Sequence, residues 1–288
     1  MATKAQTAGT ANSMRSVFAG SDAFSHMPFL VDADTLVFCQ AGPPVERRFA
    51  TGPTRWRPSL RQDGPLAAGT DNSARYRLWK LFVKAGASGT PMRLETGLPD
   101  DAVECCPTVF RKNNQLRVCF VAGLPSASCL AYHLYAMEGD SLTKLAPAQP
   151  VWRSAMRVGC AGPDYFCIAE ADGFTVAESQ SATTRYRCSL GRLARISFMA
   201  ENPGNLLLTG IDTPTGAKTL VYGLRTGVVH EIQAGVPVYK SSIFGKQLVM
   251  AQSTGPGIEP YRLVTGPYTL VASAETVSPV DEAAQLSA

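Results

Sequence analysis

The chain has 288 residues, of which 45% are hydrophobic and 17% charged, with a formal net charge of +4. That hydrophobic content excludes wholesale disorder, and so small and scattered a charge, with no helix-turn-helix or zinc-finger pattern, argues against nucleic-acid binding. No apolar run approaches about 18 residues, which excludes a membrane-spanning helix.

Met1–Ser13 is polar and lacks the apolar core of a secretory signal, so residues 1–25 read as an N-terminal arm. A repeated unit follows. Short apolar strands end in a column of small residues at Cys39, Cys119, Cys167, Thr209 and Ala251, each preceded by a large apolar residue. Cys167 to Thr209 and Thr209 to Ala251 are both 42 residues apart. A second column is the tetrapeptide start at Tyr76, Tyr132, Tyr186, Tyr222 and Tyr261. Self-similarity at a fixed period means one supersecondary unit used repeatedly.

The cleanest unit, 107–147, reads as four strands at Pro107–Arg111, Gln115–Val121, Leu130–Met137 and Ser141–Leu145, with turn residues between them. Four-stranded units of about 40 residues predict propeller blades. The expected fold is therefore an all-β propeller over 26–277, with five blades at 26–98, 107–147, 154–196, 197–234 and 236–273. The alternatives are a six-bladed closure that uses residues 14–25 together with the long insertion in the first unit, and a β-sandwich. Residues 278–288 read as a short, slightly acidic tail.

The eight cysteines show no C-x-x-C spacing, so no zinc site is expected. The expected role is packing, because a free cysteine behaves as a small buried hydrophobe. Disulfides among Cys105, Cys106, Cys129, Cys160 and Cys188 are the alternative. The histidines His26, His133 and His230 fall at unlike positions in different units and suggest no catalytic triad. No phosphate-cradling glycine loop and no cofactor are expected.

The first unit carries an insertion at 43–74 with Arg47, Arg48, Arg55, Arg57 and Arg61, Trp56, five prolines and no lysine. Loops this long are usually functional or disordered, and arginine and tryptophan are enriched at interface hot spots. The insertion is expected to dock a partner subunit or an acidic surface. In a propeller it shares a face with the loops between blades. That face would gather Asp101, Glu104, Trp152, Arg153, Glu170, Asp172 and Asp212 as a possible ligand face, with Glu104 alternatively a solvated acid in an interblade loop.

The segment Glu104-Cys105-Cys106-Pro107 resembles the Glu-Cys-Pro motif of five-bladed furanosidase-type glycosidases, in which the glutamate is the general acid. The resemblance covers about seven residues. The matching nucleophile segment, Ser25-His26-Met27-Pro28-Phe29, has no carboxylate, and Trp56-Arg57-Pro58 lacks the acid of the family's third motif. Asp172-Gly173-Phe174-Thr175 is similar to one sialidase box.

These features together predict a non-enzymatic structural or binding propeller in a larger assembly. The assembly expected is a bacteriophage virion, with other subunits or further copies of the chain as partners. The alternatives are a carbohydrate-binding or glycoside-hydrolysing propeller and a cytoplasmic interaction scaffold.

Overall fold

The computed structural model describes residues 14–18, 25–48, 73–86, 88–112, 115–125, 130–145, 158–160, 165–169, 173–178, 184–189, 195–199, 201, 205–213, 216–223, 226–238, 240–253, 261–275 and 278–279. These residues are all-β. After a two-residue strand β1 (Arg15–Ser16), the strands run β2 (Ser25–Leu30), β3 (Thr35–Arg48), β4 (Ser73–Ala85) and β5 (Met92–Arg93), forming sheet I. Sheet II is β6 (Val103–Lys112), β7 (Gln115–Pro125), β8 (Leu130–Glu138) and β9 (Ser141–Lys144). Sheet III contains β10 (Val158–Cys160), β11 (Tyr165–Ala169), β12 (Gly173–Glu178) and β13 (Thr184–Ser189). Sheet IV contains β14 (Arg195–Phe198), β15 (Asn205–Thr213), β16 (Gly216–Gly223) and β17 (Val229–Gln233). Sheet V is built on β18 (Ser241–Phe244), β19 (Gln247–Ser253) and β20 (Tyr261–Pro267).

All strand pairs are antiparallel, and the arrangement is propeller-like. The innermost strands β2, β6, β10 and β14 touch in succession, and β18 returns to β2. Alternating residues of the strands fill the seams between sheets, as the two-residue period requires. One large apolar cluster, containing Phe29, Val37, Leu81, Phe120, Leu134, Phe174 and Tyr222, runs through sheets I to IV. A second joins sheets IV and V through Leu207, Val221, Ile243, Leu248 and Met250. A third joins V to I through Val249, Leu263, Leu36 and Phe38.

Four sheets, I to IV, each contain four consecutive strands. The expected fifth unit does not complete itself. Its predicted fourth strand, β21 (Thr269–Ala272), instead pairs with β17 as a fifth strand of sheet IV. β22 (Ser278–Pro279), from the expected tail, pairs with β13 on sheet III. The missing outer strand of sheet V comes from the expected N-terminal arm: Arg15 and Ser16 pair with Thr265 and Val264. Residues 14–18 therefore close an existing sheet, and no sixth unit forms from them.

The small-residue column holds: Cys39, Cys119, Cys167, Thr209 and Ala251 all lie on the second strand of their sheets. Cys39, Cys119, Cys167 and Ala251 are fully or nearly buried. Five cysteines, at 39, 105, 106, 119 and 167, are buried thiols outside any disulfide, so Cys105 and Cys106 drop out of the disulfide alternative. The tyrosine column does not hold. Tyr186 is on a fourth strand while the others are on third strands. Tyr132 opens its strand, whereas Tyr222 lies near the end of its own. Tyr132 has a local task instead. Its ring covers Gly123 directly across the sheet, where a Cβ would lie 2.5 Å from Cε1.

Candidate functional site

One end of the ring collects the second-to-third strand loops and the connections between sheets, and the most distinctive feature there is a hairpin. β3 and β4 pair from Thr35 opposite Ala85 out to Arg48 opposite Ser73, with a bulge between Ala41 and Pro44. β2 accompanies β3 only as far as Gln40, and β5 accompanies β4 only at Phe82 and Val83. Beyond those points, about eight residues on each strand continue as a two-stranded ribbon, a reach of roughly 27 Å at 3.4 Å per residue. Part of the expected insertion, 43–48 and 73–74, is therefore strand. Pro43 and Pro44 fall at the bulge, where a missing ladder donor is tolerated.

The base of this arm is anchored. Trp79 is buried, Ala41, Val45 and Leu78 pack against the main cluster, and Arg77 Nη1 donates to Gly42 O at 3.2 Å. Arg47 and Arg48 are on its outer part, while Arg55, Trp56, Arg57 and Arg61 lie outside the described residues. Residues 42–77 contain seven arginines, three acids and no lysine.

Of the expected ligand face, Asp101 is exposed in the turn before β6. Asp212 lies at the tip of the β15–β16 hairpin, opposite Ala217. Trp152, Arg153, Glu170 and Asp172 lie outside the described residues. Glu104 is neither a solvated loop acid nor open to a ligand. It sits inside β6 between buried Val103 and Cys105 and is itself fully buried. Its carboxylate accepts from Lys80 Nζ at 3.0 Å, Thr96 Oγ1 at 3.0 Å and Leu81 N at 3.4 Å. A buried carboxylate needs such partners, and here they make Glu104 a strut from sheet II to sheet I.

The mouth of the axis contains a feature that sequence reasoning missed. Met27, Cys106 and Lys240 have φ of 51°, 54° and 45°, although none is glycine. Met27 and Cys106 lie within the innermost strands of sheets I and II, and Lys240 immediately precedes that of sheet V. Such backbone costs about 1–3 kcal/mol per residue and persists only where the surroundings impose it. Met27 and Cys106 both fall in bulges and both precede proline, which disfavours the right-handed helical region. The bulges turn the two sulfurs toward each other: Cys106 N donates to Met27 Sδ at 3.4 Å, and Cys106 Sγ lies 3.6 Å from it. The paired Met27-Pro28 and Cys106-Pro107 dipeptides were the available signal. Met27, Cys106 and Lys240 are at most 2% exposed, so none of these three side chains is open to solvent. Among the described residues, no three His, Cys, Asp or Glu side chains are grouped to hold a metal ion.

No family model and no curated protein sequence matches the chain. Among solved structures it is similar to TolB from Acinetobacter baumannii, with a TM-score of 0.42 and 10% identity. The match covers 88% of this chain and 57% of that structure.

Proposed function

We propose that this protein is a binding module of a larger assembly, docked through the β3–β4 arm, with the composite sheet V acting as a fifth blade that closes the ring. The observation that carries the reading is the ribbon itself. Two strands without a covering sheet are marginal in water, and evolution of so long an extension is economical when another surface completes it. Its arginine-rich composition fits an acidic partner surface, since arginine gives bidentate, geometrically specific contacts to carboxylates. The most specific form of the proposal places the protein in a bacteriophage virion, bound to other subunits or to copies of itself.

The role of Glu104 favours binding over sugar hydrolysis. Its oxygens are engaged by Lys80, Thr96 and the Leu81 amide, whereas a general acid must reach the scissile oxygen.

The test is to replace residues 43–76 by a two-residue turn and to cross-link the protein in its native particles or lysate. A folded ring that no longer cross-links to its partners supports docking through the arm. Unchanged cross-links in that variant overturn it.

A further inference from the structure

A small cleft lies between the N-terminal segment and one face of sheet I. Residues of one face of a strand recur at every second position, which brings Phe38 and Gln40 of β3 together, and Ser25 of β2 sits directly opposite Gln40. Phe18 closes over this face, its ring centroid 5.1 Å from that of Phe38. The resulting cleft is about 280 Å³, and Ser88–Pro91 form its outer wall. That wall is a tight turn: Gly89 N donates to Gly86 O at 3.3 Å, and a Cβ on Gly89 would run into Ala85 O.

The polar part of its lining consists of neutral groups that both donate and accept. Ser25, Ser88 and Thr90 bring hydroxyls, and Gln40 brings an amide. Ser25 is 1% exposed, and its hydroxyl has no hydrogen-bond partner, although a buried hydroxyl ordinarily has one. Gln40 is half-buried, and Ser88 and Thr90 are exposed at the rim. Lys84 also lines the cleft, but its ammonium is engaged at Gly86 O, so it contributes its stem rather than its charge. No acidic side chain is among the described lining residues. An unsatisfied buried hydroxyl destabilises the empty protein, and a ligand hydroxyl brought beside it removes that cost.

We propose that this cleft binds one neutral sugar ring, a pyranose. Its hydroxyls exchange hydrogen bonds with Ser25, Gln40 and Thr90, and the C–H groups of its apolar face lie against Phe18. A ligand with several hydroxyls matches side chains that each donate and accept, whereas an ion would find no free opposite charge among them. The volume is just under the roughly 300–1,000 Å³ of clefts that take drug-sized ligands, which limits the ligand to a single ring.

The experiment is a titration of the full-length protein with the methyl glycosides of glucose, galactose and mannose, followed by amide chemical shifts, with cyclohexanol as a ring of similar size that has a single hydroxyl. Expected are saturable shifts at Ser25, Gln40 and Ser88–Thr90 with at least one glycoside, and about tenfold weaker binding of cyclohexanol, which forgoes the further hydrogen bonds. Thr90→Val, at an exposed position, weakens glycoside binding by about threefold. Ser25→Ala weakens it by a similar factor and leaves the unfolding midpoint of the empty protein unchanged or higher, because it removes an unsatisfied hydroxyl. A serine with a structural role alone would give the reverse. The proposal is overturned if none of the glycosides gives saturable shifts, if the shifts map elsewhere, or if cyclohexanol binds as tightly. It is equally overturned if Ser25→Ala loses stability and keeps its affinity. None of the described lining residues falls within 43–76, so the same titration on the arm-shortened protein separates this site from the docking reading.

Discussion

The seam between sheets I and II and the seam between sheets V and I are joined in opposite ways. The first connects neighbours in the chain and contains a buried polar key, Glu104 held by Lys80, Thr96 and Leu81. The second is where the ring closes. It is apolar, filled by Phe18, Leu30, Phe38, Val249 and Leu263, and its main polar tie is Leu30 N donating to Ser242 Oγ at 2.8 Å. A seam whose sheets are tethered by a short connection can use a group that demands exact partners. A seam closed by a distant segment relies on non-directional burial, which tolerates small misfits and leaves clefts beside the latch.

The sharpest way to break this contrast is Glu104→Ala. It strands the Lys80 ammonium, which is only 12% exposed, and is expected to cost about 3–4 kcal/mol in urea unfolding. A Lys80→Met/Glu104→Leu double variant should recover most of that loss, because apolar replacement of both partners is often neutral. Next in size is Phe18→Ala, expected to cost about 3 kcal/mol through the cavity it opens at the closing seam. Hydrogen exchange should then quicken first along β20, where β1 and the Val17 amide are anchored.

The smallest effect lies at the seam between sheets IV and V. Tyr268 donates its hydroxyl to Gly245 O at 2.9 Å. Burial, helped by the nearby Glu201 carboxylate, holds that hydroxyl above its ordinary range. The folded state therefore keeps a proton that the unfolded chain releases. The stabilisation is fully present below pH ~10 and is lost as pH rises through the folded value. Tyr268→Phe should cost about 1 kcal/mol at neutral pH and flatten the alkaline fall in stability, as read from unfolding midpoints between neutral and strongly alkaline pH.

The parts of the fold that were legible in the sequence are those with repeating chemistry. Cys39, Cys119, Cys167, Thr209 and Ala251 mark second strands because a buried central strand needs small or apolar residues at every turn of the unit. The two-residue strands β1 and β22 leave no periodic trace, and a pair such as Ser16 with Val264 is fixed by tertiary contact alone. The segment Thr269–Ala272 has the pattern of a fourth strand, but nothing local says which sheet it joins. The arm was recognised by composition, whereas its strand character was hidden by Pro43 and Pro44. Glu104 reads as a loop acid in the sequence because its environment comes from Lys80 and Leu81, 24 and 23 residues earlier on a strand of the preceding sheet, and no local pattern shows that pairing. The left-handed residues at 27 and 106 were visible only as X-Pro dipeptides.

The latch and the outer straps also set an order of assembly. β1 is synthesised first, yet its partner β20 emerges only after four sheets have been made. Sheets III and IV keep bare outer edges until β21 and β22 arrive and settle on them in the reverse of chain order. Pairings this distant in sequence form slowly, since loop closure must precede any gain from contact. These closing pairings are therefore expected to be the slow phase of refolding, with strand edges exposed before they form. Until it ends, those unpaired edges are open to pairing with another chain.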